Sequence, residues 1–257
     1  MDKSLHSLDR HFNLPHVREV DTLRALHWLR LGWDDLRENA FASLAYGTFF
    51  AVLGYFIIGY AAQKPYLITA SISGFLLVGP LAAAGLYVIS RQHAERQPVS
   101  LMSSLRGLRT HGESLLSIGI ALAIVMIGWE RISAVLFALL FPADLPEVHN
   151  FFRDVFLSGN YLGFVATYML IGGMLAALVF ALTVVAIPML MERDTDMVTA
   201  MMTSLRAVSM NLPAMAVWAA VIVVAMAVGF ATLMIGMVVI LPLLGHASWH
   251  AYHDLVD

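Results

Sequence analysis

Five apolar stretches dominate this sequence, and each is long enough to cross a lipid bilayer as a helix. The hydrocarbon core takes about 20 helical residues at a rise of about 1.5 Å per residue. Only 13% of the 257 residues are charged, where about 25% is usual in a soluble domain. A water-soluble surface cannot be built from so few charges, so the sequence predicts an integral membrane protein. The stretches are 40–61, 66–89, 114–141, 161–191 and 212–244.

The final stretch is too long for one ordinary span and barely long enough for two. We interpret it as two helices that turn near Gly229, the second of which runs to about Tyr252. A single long tilted helix is the alternative. With two helices, the predicted fold is all-α: a polytopic transmembrane helix bundle of six spans, arranged as three hairpins. Its parts are a cytoplasmic N-terminal segment (1–39), a transmembrane domain (40–252) and a cytoplasmic tail (253–257).

The distribution of Lys and Arg predicts the orientation. With six spans, the N-terminal segment and the loops 90–113 and 192–211 lie on one side of the membrane, and they carry twelve of the fifteen Lys and Arg residues. Because Lys and Arg resist translocation, this side is predicted to be cytoplasmic and to hold both termini. Residues 1–39 also lack the apolar run of a signal peptide.

A weak internal repeat precedes the odd-numbered spans and predicts a cytoplasmic amphipathic helix before each of them. One copy contains Leu101, Met102, Leu105, Arg106 and Leu108. The second contains Met201, Met202, Leu205, Arg206 and Val208. Part of the same spacing occurs in the first helix, whose predicted apolar stripe is Leu23, Leu26, Leu29, Trp33 and Leu36. Each even-numbered span carries a proline that is expected to kink it: Pro80, Pro188 and Pro242.

Small residues line several predicted spans, where they let helix backbones approach closely. Packing within the bundle and packing in a homodimer are both open interpretations. The glycines concerned are Gly47, Gly54, Gly79, Gly172 and Gly173.

Three stretches of the sequence resemble a bacterial membrane family known as domain of unknown function 2189. They are WLRLGWDDLRENAFASLAYG (28–47), GFLLVGPLAAAGLYVISRQ (74–92) and ILPLLGHASWHAYHDLV (240–256), so the resemblance covers nearly the whole chain. It implies several transmembrane helices in a bacterial inner (plasma) membrane and no established activity. Some members carry the label "putative cytochrome c oxidase subunit I".

That label can be compared with the histidines of the chain. A haem–copper subunit needs about twice as many helices and several histidines deep in the bilayer to hold haem iron and copper. None of the ten histidines lies in the middle of a predicted span. The chain itself is therefore not predicted to be the catalytic subunit, whereas an accessory or assembly role beside an oxidase stays open.

The C-terminal histidines form the first candidate site. His246, His250 and His253 recur at i, i+4 and i+7 and so share one helix face. Such a face could present imidazole nitrogens to a metal ion or haem, with Asp254 as a supporting partner. In the alternative interpretation the helix ends at the membrane interface, and its histidines face headgroups or cap the neighbouring hairpin. The interface anchors are then Trp249 and Tyr252.

Adjacent charges within the third span form the second candidate site. Glu130 and Arg131 could act as a gate or proton relay, because an ion pair inside a membrane is expensive and usually functional. Alternatively, the pair lies at the outer headgroups, with Trp129 as an interface anchor.

Enzyme motifs are missing from the sequence. It contains no HExxH, GxSxG or Gly-Lys-Ser/Thr motif and no Cys, which excludes thiolate metal sites and Cys nucleophiles.

We therefore expect a non-enzymatic structural or accessory protein. It is expected to contact membrane lipid and either other membrane proteins, including a respiratory oxidase, or a homodimer partner. The net charge of −3 argues against nucleic acid. Alternatives are a transporter or channel for a small solute or ion, and metal or haem handling by the histidines; no other cofactor is expected.

Overall fold

The computed structural model describes residues 14–61, 79, 81, 83–140, 155 and 159–257. Ten helices lie within these ranges. In chain order they are α1 (Arg24–Glu38), α2 (Ala40–Ala61), α3 (Ala84–Ala94), α4 (Leu101–Thr110), α5 (Gly112–Leu140), α6 (Leu162–Thr183), α7 (Ala186–Leu190), α8 (Met197–Met210), α9 (Leu212–Ala231) and α10 (Met237–Leu255).

The described residues contain four helical stretches that are long and apolar enough to cross a membrane, and six spans stay a prediction. They are Ala40–Ile57, Gly112–Leu140, Leu162–Leu190 and Leu212–Ala231. Many large apolar side chains on these stretches are exposed, as contact with lipid requires. The predicted second span, 66–89, falls largely outside the described residues, and α3 contains its end.

The last apolar stretch is two helices, so the single long helix is excluded. A turn from Thr232 to Gly236 separates α9 from α10, a few residues later than predicted. Leu233 and Met234 adopt positive φ angles there, 51° and 71°. The hydroxyl of Thr232 accepts a hydrogen bond from the backbone N–H of Gly236 at 2.9 Å. Helix α10 is not among the four candidate spans.

Three junctions share one geometry and confirm the internal repeat. Helices α1, α4 and α8 each end at a single non-helical residue, after which the next helix begins: Asn39, His111 and Asn211. At each junction this side chain donates to the carbonyl oxygen four residues earlier, at 3.1, 3.0 and 3.0 Å. The three amphipathic helices therefore enter α2, α5 and α9 in the same way.

Each amphipathic helix also packs against the end of an earlier or later helix of the bundle. Helix α4 packs on α3, α8 packs on α6 and α7, and α1 packs on α10. Matching serines make the first two contacts: Ser104 donates to the carbonyl oxygen of Gly85 at 2.6 Å, and Ser204 donates to that of Ala181 at 2.8 Å. The third contact joins the first described helix to the last.

The helix that contains Pro188 is interrupted, as its proline predicts. Helix α6 ends at Thr183 and α7 begins at Ala186, two residues before Pro188. The hydroxyl of Ser204 is inserted into this break, because it also accepts from the backbone N–H of Val185 at 3.1 Å. A side chain inserted into the i→i−4 hydrogen bonds is an established cause of helix bending.

Pro242 lies inside α10 and leaves the carbonyl oxygen of Val238 without its usual N–H donor. The backbone of Gly47 on α2 approaches this oxygen so closely that an added Cβ would lie 2.0 Å from it. The backbone of Gly47 therefore packs directly against α10, and only glycine fits at this position. Pro80 lies outside the described residues.

The other predicted packing glycines differ among themselves. An added Cβ at Gly172 would lie 2.9 Å from the indole ring of Trp129, whereas Gly173 and Gly79 face open space among the described residues. Gly54 is buried. Gly172 thus packs within the chain, and Gly173 does not contribute to packing among these residues.

Helix α10 lies at the centre of the main apolar core and packs against α1, α2, α3 and α9. Trp28 of α1 and Trp218 of α9 meet edge to face beside it, with ring centroids 5.8 Å apart. A separate cluster joins α5 to α6 through Trp129, Phe164 and Tyr168. The polar residues described next lie where α10 crosses the junction of α1 and α2.

Candidate functional site

A buried polar network joins four helices at the junction of α1 and α2. Helix α1 contributes Asp35, α2 contributes Ser43, α3 contributes Ser90 and α10 contributes His246. Asp35 is 6% exposed and His246 is 0% exposed, and both serines are buried. Buried polar groups need partners, since an unpaired one is costly. Each of these four has one within the network.

The hydrogen bonds determine the proton positions on His246. Ser90 donates its hydroxyl proton to Asp35 Oδ2 at 2.5 Å, so its oxygen must accept from His246 Nδ1–H at 2.8 Å. The other ring nitrogen, Nε2, then accepts from the hydroxyl of Ser43 at 2.9 Å. A neutral imidazole with its proton on Nδ1 satisfies all three contacts.

The electrostatic balance keeps Asp35 ionised and His246 neutral. Burial acts to raise the pKa of Asp35, but hydrogen bonds from His250 and Ser90, together with the electrostatic attraction of His250, outweigh it and lower that pKa. His250 Nε2 lies 3.0 Å from Asp35 Oδ2. Burial lowers the pKa of His246 to about 4, against the attraction of Asp35. His246 therefore acts as a hydrogen-bonding group rather than as a cation.

The network reaches the exposed surface through His93. Asn39 donates to His93 Nδ1 at 2.8 Å, which leaves the Nε2–H to face Glu38 Oε2 at 3.3 Å. His93 is 29% exposed and Glu38 is 66% exposed. A path of polar groups thus runs from the surface to Ser43, inside the first candidate span.

The three C-terminal histidines do share one helix, but they do not converge. His246 and His250 both face Asp35, whereas His253 Nε2 lies 2.7 Å from Glu192 Oε2, which also accepts from Trp249 Nε1 at 3.2 Å. Among the described residues, no group of three or more His, Asp or Glu side chains is arranged to hold a metal ion. Metal or haem binding by these histidines stays a sequence prediction.

The predicted interface anchors are buried inside the protein, so that interpretation is wrong for them. Trp249 and Tyr252 lie in the core around α10, and Tyr252 accepts from Arg193 Nε at 2.6 Å. Trp129 packs between α5 and α6, against Tyr168 and Gly172. An anchor must reach the headgroups, whereas these rings are enclosed by neighbouring helices of the same chain.

Asp254 does not support a histidine, as the sequence suggested, but fixes α10 to α1. Its carboxylate pairs with Arg24 at 2.5 Å and accepts from Trp28 Nε1 at 2.9 Å.

The remaining predicted site, Glu130 and Arg131, forms an ion pair at 3.2 Å in which Arg131 is 77% exposed. That pair lies on α5, whereas the network lies on α1, α2, α3 and α10.

Four residues of the network were missed by sequence analysis: Asp35, Ser43, Ser90 and His93. The sequence analysis gives Asp35 no role, because other charged residues surround it in the sequence. Its position relative to Trp28 and Gly32 places it on the buried face of α1. That spacing was the available signal, and it becomes decisive only when α10 is known to cover this face.

The family model described as "Predicted integral membrane protein (DUF2189)" matches residues 67–192. The matched residues, slightly less than half of the chain, are similar to this family. The match includes the GFLLVGPLAAAGLYVISRQ stretch but ends before the C-terminal histidine segment, so it covers less of the chain than the resemblance suggested. No curated protein and no solved structure matches the chain.

The DUF2189 match contains only part of the network. Ser90 and His93 lie within residues 67–192, whereas Asp35, Ser43 and His246 lie outside them. The arrangement superficially resembles the Ser–His–Asp sets of hydrolases. However, Ser43 and His246 are fully buried, and Ser90 separates the imidazole from Asp35, which is 3.9 Å away. A substrate cannot reach this serine in the structure.

Proposed function

We propose that this protein is a non-enzymatic structural or accessory protein of the bacterial inner membrane that associates with other membrane proteins, including a respiratory oxidase. The observation that carries the proposal is that the buried polar groups form hydrogen bonds to one another between helices. Both nitrogens of His246 and one oxygen of Asp35 are occupied by bonds between α1, α2, α3 and α10. Such bonds hold helices together and leave no side chain of this set aimed at a substrate.

The proposal includes an even number of membrane crossings with both ends in the cytoplasm. The backbone of Val17 pairs with that of Val256, and Arg18 N–H donates to the carbonyl oxygen of Leu255 at 2.9 Å. Contact between these segments supports their placement on one side of the membrane, and the predicted six spans are an even number. The excess of Lys and Arg in residues 1–39 and in the predicted cytoplasmic loops supports the cytoplasm as that side.

The test is purification of the tagged full-length protein in mild detergent, followed by mass spectrometry and a visible absorption spectrum. We expect co-purified membrane proteins, with haem absorption if an oxidase is among them. A tagged membrane protein expressed at the same level serves as the matched control for proteins that bind the resin. A solitary, colourless protein after cross-linking in intact cells contradicts the accessory role.

Transport of a small ion is the second candidate function, and the polar path from Glu38 to Ser43 favours it. His93, Asp35, Ser90 and His246 are groups that can exchange protons along such a path. The test is proton flux into proteoliposomes that contain the full-length protein. Loss of flux in Asp35→Asn but not in Glu130→Gln favours the network, and the reverse favours the Glu130–Arg131 gate. No flux above empty liposomes contradicts transport.

A further inference from the structure

Four arginines on the outward faces of α1 and α4 have no partner among the described residues. They are Arg30 and Arg37 on α1 and Arg106 and Arg109 on α4, and all four are exposed. An exposed guanidinium group that forms no ion pair within the protein is available to an anion from outside.

Other arginines on or beside the same helices behave differently, because contacts inside the protein hold them. Arg18 pairs with Asp257 at 2.9 Å, and Arg24 pairs with Asp254. Arg91 donates to the carbonyl oxygen of Met191 at 3.0 Å. The arginines on these helices thus fall into two groups: some form contacts inside the protein, and others point outwards.

On α1 the outward arginines lie between an apolar edge and a polar edge. Leu26 and Trp33 are exposed on one side of Arg30 and Arg37, and Asp34 is exposed on the other. At 100° per residue around the helix axis, Trp33 and Leu26 come first, Arg37 and Arg30 come next, and Asp34 follows them. Helices that lie in a membrane interface have this order, with apolar residues in the acyl region and arginines at headgroup level.

Helix α4 repeats the arrangement without any acidic residue. Met102 and Leu105 are exposed beside Arg106 and Arg109. Counted back from the shared junction residues Asn39 and His111, Leu105 takes the place of Trp33 and Arg109 that of Arg37.

Both faces lie next to candidate spans. Helix α1 is separated from its span by Asn39 alone, and α4 from its span by His111 alone. An open groove of about 490 Å³ connects the start of α2 to the start of α4, and Phe41, Met102 and Leu105 line it. Glu38 also lines this groove, but its carboxylate faces His93.

We propose that the outward faces of α1 and α4 bind anionic phospholipid of the adjoining leaflet. The guanidinium groups of the four arginines bind the headgroup phosphates, and the exposed apolar residues between them contact the acyl chains. Arginine suits this task because its planar fork donates two parallel hydrogen bonds to a phosphate. The proposal does not depend on the accessory role, since it concerns the lipid side of the protein.

The experiment titrates detergent-solubilised full-length protein with phosphatidylglycerol or phosphatidylcholine and measures bound lipid by native mass spectrometry. We expect tighter binding of phosphatidylglycerol. Each of the double variants Arg30→Gln/Arg37→Gln and Arg106→Gln/Arg109→Gln is expected to weaken it about 25-fold, at about fivefold per arginine. Binding of phosphatidylcholine is expected to stay unchanged, which also shows that the variants are folded.

The matched control is Arg96→Gln/Arg131→Gln, which removes the same charge from exposed positions off these faces. Retained phosphatidylglycerol affinity in this control supports the proposal. Equal weakening in the control overturns it, because net charge alone then explains the binding. Equal affinity of the wild type for both lipids overturns it too. A dimer mass that disappears in the face variants, with lipid binding intact, assigns the faces to a second copy of the chain instead.

Discussion

At the scale of single residues, Asp35 shows why the buried polar network was harder to predict than membrane insertion. Its charged sequence neighbours point outwards, whereas its own carboxylate is enclosed by Ser90, His246 and His250. Those partners come from α3 and α10, between 55 and 215 positions away in the chain. Burial of Asp35 therefore follows from contacts that no local pattern contains.

His246 is expected to make the protein acid-sensitive. Its pKa falls from 6.5 to about 4 on folding because burial disfavours the charged form. The stability that it contributes is thus fully present above pH 6.5 and is lost as the pH falls towards 4. The loss is on the order of 3 kcal/mol. Thermal unfolding in nanodiscs across this pH range measures it.

The variant His246→Gln is expected to show a flatter pH dependence between pH 6.5 and 4. The matched control is His27→Gln, which changes an exposed histidine on α1 and is expected to keep the wild-type profile. An unchanged profile in His246→Gln contradicts the assignment. The lowered pKa of Asp35 adds a second loss at still lower pH, once its carboxylate becomes protonated.

Gly47 and Gly173 test glycine packing in opposite directions. Gly47→Val places a side chain against the carbonyl oxygen of Val238, so α2 and α10 must separate, at about 1–3 kcal/mol. Gly173→Val meets open space among the described residues and is expected to leave the monomer as stable as before. Denaturation of both variants in the same detergent compares them. A dimer that Gly173→Val disrupts would instead assign this glycine to a homodimer interface.

At the scale of helices, the sequence repeat located the amphipathic helices, but it grouped exposed and buried leucines of α1 into a single apolar stripe. Leu23, Leu26 and Trp33 are exposed, as a membrane-surface stripe requires, whereas Leu36 is buried. The reason is that α1 has two apolar contacts, with the core around α10 on one side and with the surroundings on the other. Periodicity reports apolar positions and does not state which neighbour covers each of them.

Ser204 is expected to stabilise the break between α6 and α7. Ser204→Ala removes the partner of both the buried Val185 N–H and the partly buried Ala181 carbonyl. Leaving them unpaired costs about 1–3 kcal/mol. Ser209→Ala is the control, since that exposed hydroxyl bonds only to a carbonyl of its own helix. Thermal unfolding of the two variants should differ accordingly, and equal midpoints contradict this role.

At the scale of the whole molecule, the contact between residues 16–18 and 255–257 makes a topological prediction. Asp257 pairs with His16 and Arg18, and this contact predicts that the two segments occupy one compartment. A fluorescent reporter fused after Asp257 is expected to mature in the cytoplasm, and alkaline phosphatase fused there is expected to be inactive. The same reporters fused before Met1 serve as the matched comparison. Opposite results at the two ends contradict an even number of crossings.

Membrane insertion followed from the sequence by itself, because each apolar stretch must leave water whatever its neighbours do. The same local logic located the proline break near Pro188 and the turn that separates α9 from α10. Tertiary structure alone decided that Asp35, Ser43, Ser90 and His246 share one site, that Trp249 and Tyr252 are core residues, and that Asp254 binds Arg24. Helix pairing sets the rotation and register of each helix, and these depend on all the neighbouring helices together.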